Sequence, residues 1–330
     1  MIATVYNEGE SIHRLMQSLC QQTRPPDEIV IVDGGSTDDT VSIMHSYTDR
    51  LPLTVIVAPG ANISEGRNRA VQAAQGAIIA ITDAGVSLPD DWLEHIVAPF
   101  EGNNPPDVVS GFFRADPHTI FEAAMGATVL PLETEIDVEM FLPSSRSVAV
   151  RRGAFVAVGG YPEWLDYCED LIFDLRLKET ATFAFAPEAC VKFRPRGSLW
   201  AFFRQYYLYA RGDGKADLWR KRHAIRYVTY LIVAPALILT ALLLSPWAWL
   251  LLVAGFAVYV RQPYRRLPTV LRWYRETHSL SLWQVICAAL LVPVIRVVGD
   301  VAKMIGYPVG WQWRLRHTPP DWRNLAENLQ

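Results

Sequence analysis

Between Tyr227 and Val260 the sequence has no Asp, Glu, Lys or Arg. A charge-free run of this length is rare in soluble folds and long enough to enter a bilayer. Cysteine is scarce as well. Cys20, Cys168, Cys190 and Cys287 are scattered and show no metal-ligand spacing, which argues against a disulfide framework and for a reducing compartment. The N-terminus has no basic region followed by an apolar core, so no signal peptide is expected and the first part is expected to stay in the cytosol. There is no internal repeat and no low-complexity stretch.

The formal net charge of −3 hides a polarity along the chain: residues 1–214 carry −13 and residues 215–330 carry +10. The acidic first part argues against a nucleic-acid partner. The basic, apolar second part suits an anionic membrane surface.

In the first part, β-prone runs alternate with helical patterns. Ile2 to Tyr6, Glu28 to Asp33, Leu53 to Ala58 and Ala77 to Thr82 read as strands. Ser11 to Gln22, a segment from Asp38 and Ser64 to Gln75 read as helices. Such alternation predicts an α/β fold: a mostly parallel, twisted sheet flanked by helices. Ligands of such sheets bind beyond the carboxyl ends of the strands, where Asp33 and Asp83 fall.

Four segments carry chemistry. In "IVIVDGGSTDDT", Asp33 can accept hydrogen bonds from a base or ribose, and Gly34-Gly35 lets the backbone come close. Ser36, Thr37 and Asp38 are explained by helix capping alone. In "AIIAITDAG", Asp83 is placed to hold a divalent cation against a diphosphate, although a strand-end Asp is often only a turn residue. In "YCEDLIFDLRL", Glu169 and Asp170 open a helix, where the helix dipole favours carboxylates in any case. One of them is a candidate general base. Arg67, Arg69, Arg194, Arg196 and Arg211 are candidates to clamp phosphate oxygens; any single one also reads as a solvated surface arginine.

In order, these segments resemble the family 2 inverting glycosyltransferases of GT-A fold, over about residues 2–215. The match runs through "TxxNE" (Thr4, Asn7, Glu8), "DGGSTDDT", "GRNRA", "TDAG", "VGGYPE" and the "ED" pair. The resemblance implies that Thr4, Asn7, Glu8, Asp33, Arg67, Asp83 and Arg211 bind a nucleotide sugar. It implies that Asp33 reads the base, that Asp83 binds Mg²⁺ or Mn²⁺ with the diphosphate, and that Asp170 is the catalytic base with Glu169 beside it. Two departures stand out. The family's D-x-D motif is here Asp83-Ala84-Gly85, without its second carboxylate. The Q-x-x-R-W motif of processive synthases is absent, since Leu208 stands three positions after Gln205 and Gly212 follows Arg211.

The expected organisation is a catalytic domain over 1–215 and a membrane anchor over 216–330. Arg220-Lys221-Arg222 precede the charge-free run, Arg261, Arg265 and Arg266 close it, and Ser245-Pro246 break it. A hairpin over about 227–260 keeps both basic flanks on the cytosolic side. A further apolar helix over about 280–311 carries Arg296, Asp300 and Lys303 on one face, which suits an interfacial or protein-packed helix better than a third span. The chain is thus expected to be a multi-pass protein of the cytoplasmic membrane with its catalytic domain in the cytosol. It would pass sugar from a nucleotide-sugar donor to a lipid-linked or glycan acceptor with inversion. A processive polysaccharide synthase and a non-catalytic nucleotide-sugar-binding scaffold are the alternatives.

Overall fold

The structure is a computed structural model and describes residues 1–323. The chain forms two compact units. The first comprises Met1–Arg114, Glu133–Phe193 and the described residues from Pro320; the second comprises Ala115–Leu132 and Arg194–Pro319.

The first unit is built on a mixed eight-stranded sheet. Its strands are β1 (Ile2–Val5), β2 (Ile29–Asp33), β3 (Leu53–Val57), β4 (Ile78–Ile81), β5 (Val86–Ser87), β6 (Val108–Ala115), β7 (Val148–Arg151) and β8 (Phe183–Phe193), in the spatial order β3-β2-β1-β4-β7-β6-β8-β5. From β3 to β4 the pairing is parallel, as the alternating pattern predicts. Beyond β4 it is not: β7 runs antiparallel to β4 and β6, and β5 antiparallel to β8. The parallel expectation therefore holds for one half of the sheet. β2 reads Ile-Val-Ile-Val-Asp and is buried at every position, as a parallel strand covered on both faces must be.

The flanking helices of this unit are α1 (Ile12–Cys20), α2 (Thr40–His45), α3 (Ile63–Ala73), α4 (Trp92–Val97), α6 (Arg152–Ala157) and α7 (Glu169–Thr180). Two apolar clusters cover the two faces of the sheet. One joins Ile12, Leu15, Met16 and Leu19 of α1 to Ile29, Ile31 and Trp92; the other joins Val30, Val32 and Ala70 to Phe155, Tyr161 and Phe173. α3 begins with a capping box, Asn62 accepting from the Glu65 amide while the Glu65 carboxylate accepts from the Asn62 amide. That fixes where α3 starts, and so which of its side chains face the sheet.

The second unit is helical: α5 (Ile120–Val129), α8 (Leu199–Lys215), α9 (Arg220–Val228), α10 (Ala234–Leu243), α11 (Ala248–Arg275) and α12 (Leu282–His317). α8 and α12 approach backbone to backbone. A Cβ on Gly306 would lie 2.2 Å from the Tyr207 carbonyl oxygen, and one on Gly310 would lie 2.0 Å from that of Arg211. Only glycine fits there, the same close approach that small-xxx-small faces allow in membranes. A π-turn at Thr229–Val233 joins α9 to α10. Pro235 follows within the first turn of α10; because helix already precedes it, its missing N–H and its ring disfavour a regular α-helical turn just before it.

The chain reverses direction at Leu244–Trp247, as the break at Ser245-Pro246 predicts, which brings the Tyr230 and Tyr259 hydroxyls within 2.8 Å across the two arms. α11, however, runs on to Arg275, past the last residue of the charge-free run. The arginines that end the apolar run do not end the helix. Leu242, Leu243, Leu244, Trp247, Leu250, Leu251 and Val253 around the turn are all exposed. Among the described residues, two segments are long and apolar enough to cross a membrane: Arg220–Leu243 and α12. On α12 the face with Arg296, Asp300 and Lys303 packs inside the helical unit: Asp300 accepts from Arg226 and from the Tyr259 hydroxyl, at 2.7 Å each.

Candidate active site

The site lies at the carboxyl edge of the parallel strands, where β1, β2 and β4 end at Val5, Asp33 and Ile81. Two clusters form there.

The first is a loop lock between residues 7–9 and 33–40. Asp33 is fully buried, and its carboxylate accepts from the Gly35 and Ser36 amides at 2.8 Å each and from the Ser36 hydroxyl. Ser36 Oγ in turn accepts from the Asn7 amide at 2.7 Å, and Asn7 Oδ1 accepts from the Thr37 amide at 2.9 Å. The Glu8 and Gly9 amides both donate to Thr40 Oγ1. Glu8 itself accepts from the Ser11 hydroxyl. Asn7 holds φ at 51°, an unusual backbone for a non-glycine residue. Thr4 packs under α3: a Cβ on Gly66 would meet Thr4 Cγ2 at 2.8 Å. In this conformation Thr4, Asn7, Glu8 and Asp33 shape the loops, and Asp33 turns its charge to its own turn.

The second cluster centres on Arg67 of α3, which is buried. Its Nη1 donates to Glu169 Oε1 at 2.7 Å and its Nη2 to Asp83 Oδ1 at 2.9 Å. Its guanidinium lies 4.9 Å from the centroid of the Tyr161 ring, a cation–π contact. Its Nε is buried without a hydrogen-bond partner. Burial works against the Arg67 charge, but Tyr161, Asp83, Glu169 and Asp170 outweigh it and its pKa is raised. Glu169 is pushed the other way from an ordinary carboxylate: burial first, then the charge of Asp170, raise it to about 7, against the pull of Arg67. Asp174, one helical turn beyond Asp170 on α7, is also raised, by burial and then by Asp170.

Local structure builds this cluster. Asn68 grips the turn that carries Tyr161: its Oδ1 accepts from the Tyr161 amide and its Nδ2 donates to the Tyr161 carbonyl, at 2.9 Å each. Gly159 and Gly160 have positive φ, and a Cβ on Gly160 would sit 2.7 Å from Asn68 Oδ1. The "VGGYPE" segment thus needs its second glycine for close approach as well as for conformation. The Tyr161 hydroxyl shares a 3.0 Å hydrogen bond with Ser145. Cys168, the residue before α7, sits in the left-handed region with φ 66°, so the chain enters the "ED" pair through strained backbone. Glu169 points into the cluster and Asp170 remains half-buried at its rim, with Oδ1 accepting from the Leu171 amide.

The structure brings Arg67, Asp83 and Glu169 into direct contact, with Asp170 in electrostatic reach, and gathers Thr4, Asn7, Glu8 and Asp33 in and around the loop lock. Arg211 belongs to α8 of the helical unit. Arg69 is exposed, and Arg194 pairs with Glu122 at 3.0 Å within the helical unit. Sequence reasoning missed Tyr161 and Asp174 as parts of the site. The i, i+4 spacing of Asp170 and Asp174 was the available signal for the second.

For a divalent cation, the cluster supplies one hard oxygen ligand, Asp83, whose side chain is 30% exposed. No group of three or more His, Cys, Asp or Glu side chains able to hold a metal is present among the described residues. This set fits Mg²⁺ or Mn²⁺ only where the oxygens of a bound diphosphate complete the coordination.

The mixed sheet thus carries carboxylates at or just past two parallel strand ends, with a buried arginine between Asp83 and Glu169. The family model "Glycosyl transferase family 2" matches residues 1–140. The chain is 29% identical to the succinoglycan biosynthesis protein ExoA of Rhizobium meliloti (strain 1021), over 80% of this chain and 87% of that one. It is 30% identical to validoxylamine A glucosyltransferase of Streptomyces hygroscopicus subsp. limoneus over 34% of this chain, and the match spans 25% of that longer protein. Among solved structures, the mannosyltransferase PcManGT of Pyrobaculum calidifontis, in complex with GDP-Man and Mn²⁺, superposes with a TM-score of 0.54 at 19% identity, covering 96% of this chain and 86% of that one. Residues 1–140 thus match the family 2 glycosyltransferase model, and the fold is GT-A-like.

Proposed function

We propose that the chain is a membrane-bound glycosyltransferase that moves a sugar from a nucleotide-sugar donor to a lipid-linked or membrane-associated acceptor, with inversion at the anomeric carbon. The observation that carries this reading is Arg67, buried between Asp83 and Glu169 at the carboxyl edge of the parallel strands. Donor binding falls to the first unit. Its loops 4–8 and 33–37 receive the nucleoside, and Asp33 sets base preference through the turn it holds. Arg67 stands beside Asp83 to face the diphosphate.

Glu169 and Asp170 divide the remaining work. Glu169 is committed to Arg67, so it fixes the guanidinium. Asp170, at the rim, is free to act as general base. It takes the proton from an acceptor hydroxyl as the oxygen attacks the anomeric carbon and the bond to the diphosphate breaks on the opposite face. Mg²⁺ or Mn²⁺, held by Asp83 with the diphosphate oxygens, would supply charge neutralisation to the leaving group.

Membrane attachment falls to residues 216–330. The exposed apolar turn between α10 and α11 and the basic residues Arg220, Lys221, Arg222, Arg261, Arg265 and Arg266 support a cytoplasmic-membrane protein with its first unit in the cytosol. Release of nucleoside diphosphate by the purified protein, across a panel of nucleotide sugars with Mn²⁺ and membrane lipid extract, tests the reading. Acceptor-dependent release from at least one donor is expected. Binding of a donor with no release under any condition would instead indicate a scaffold.

A further inference from the structure

The helical unit contains a group of charges that donor chemistry in the first unit does not use. Asp300, on α12, is its centre. Its Oδ1 accepts from Arg226 Nε of α9 at 2.7 Å, and its Oδ2 accepts from the Tyr259 and Tyr230 hydroxyls at 2.7 and 3.2 Å. Arg226 continues to His223 at 3.1 Å, and His223 to Asp213 at 3.1 Å. Each member of this chain is satisfied by another.

Arg296 and Lys303 are not. They lie four residues before and three after Asp300, on the same face of α12. Asp300 is already committed, and each cation rests on a ring instead: Arg296 lies 4.7 Å from the Tyr259 centroid and Lys303 lies 4.8 Å from that of Tyr206. Neither makes a hydrogen bond or ion pair with another described residue, and the buried Nε of Arg296 lacks any partner. The charges acting on Lys303 include the repelling Arg226 and Arg296 and the attracting Asp300 and Asp213, so with Lys303 itself three cations face two carboxylates. A cation–π contact is worth up to about 2 kcal/mol when desolvated. That is small against the cost of holding half-buried cations whose charge is only partly balanced. The neighbouring positions on α12 are apolar and exposed: Leu290, Val294, Val297 and Val301.

We propose that Arg296 and Lys303, backed by Arg226, form a binding site for the phosphate group of a lipid, with its hydrocarbon chain lying along the exposed apolar side of α12. The positive charge asks for an oxyanion, and the apolar surroundings select one that carries a tail over a free ion. The proposal rests on the reading that the acceptor is lipid-borne, and it gives that acceptor a phosphate.

The test measures binding alone, without donor, on the full chain in phosphatidylcholine nanodiscs. Radiolabelled polyprenyl phosphate is the probe, with polyprenol and inorganic phosphate as competitors. Arg296→Gln and Lys303→Gln should each weaken binding about tenfold, the scale of one charge-assisted hydrogen bond. Arg296→Lys and Lys303→Arg should recover part of the loss, which a purely structural role would not predict. Polyprenol should compete poorly, and inorganic phosphate only in large excess. Undiminished binding by the double Gln variant overturns the site. Equal competition by inorganic phosphate overturns the lipid as its source, and equal competition by polyprenol overturns recognition of the phosphate. Binding of polyprenyl phosphate by a protein that releases no nucleoside diphosphate would sink the transferase reading and leave this one standing.

Discussion

Arg67 and Glu169, 102 residues apart in the chain, meet through a 2.7 Å hydrogen bond in which both side chains are buried. The bond joins α3 to the first residue of α7. It therefore couples the segment that presents Asp83's partner to the helix that presents the candidate base. Burying two charges is costly even when they pair, so the contact serves position more than stability.

Its pH dependence follows from Glu169. Folding raises this carboxyl from its ordinary value of 4.5 to about 7, through burial and then the charge of Asp170. Between those values the folded chain holds more protons than the unfolded one, so stability falls as pH rises through that window. Glu169→Gln keeps a carbonyl oxygen for Arg67 and removes the titration. The difference in melting temperature, variant minus wild type, should grow as pH is raised from about 4.5 to about 7. A difference that stays flat across that range would place the Glu169 titration elsewhere.

Asp170→Asn should lower kcat by on the order of 10²-fold, the usual effect of losing a general base, while leaving donor affinity nearly unchanged. Steady-state kinetics together with donor titration read the two separately. If more than about a tenth of kcat survived, Asp170 would not be the base.

The two strand-end aspartates should separate. Asp83→Ala should abolish the effect of Mn²⁺ on donor affinity. Asp33→Ala should leave that effect in place and blur the preference among nucleotide bases. Because Asp33 accepts three hydrogen bonds in its own turn, its loss should also destabilise the protein by about 1–3 kcal/mol. Calorimetric titration with and without Mn²⁺, alongside thermal melts, checks each part. Equal metal dependence in the two variants would refute the division.

The turn at Leu244–Trp247 should reach the far side of the membrane. In a background without the four native cysteines, Ser245→Cys should react with an impermeant thiol reagent added to intact cells. Protection until the membrane is permeabilised would put the turn on the cytosolic side or within the bilayer.

The placement of the candidate carboxylates was legible in the sequence because strand ends are. A short apolar run stopping at an Asp, followed by glycine or a helix start, places a carboxylate at a sheet edge almost without tertiary information, and Asp33 and Asp83 both fall there. The antiparallel half of the sheet was not legible. β6, β7 and β8 are separated by long segments, so no short turn between them announces their direction. Arg67 was legible as a phosphate candidate but not as a buried residue, since its carboxylate partners lie 16 and 102 positions away. Tyr161 was hidden for the same reason: its role depends on Asn68 and Arg67 reaching it from another helix. In the C-terminal part, charge marked where hydrocarbon could end, and the helix α11 simply continued through it.

The short segment after α12 has a consequence for counting. Trp322 is buried in the first unit, where its carbonyl accepts from Arg176 Nε at 3.2 Å. The chain therefore leaves the first unit at Phe193 and is back in it by Pro320. A path that leaves one side of a bilayer and returns to it must cross an even number of times. In the proposed topology, with the turn at Leu244–Trp247 on the far side, α10 and α11 would make a pair of crossings, and α12, long and apolar as it is, would add no third one.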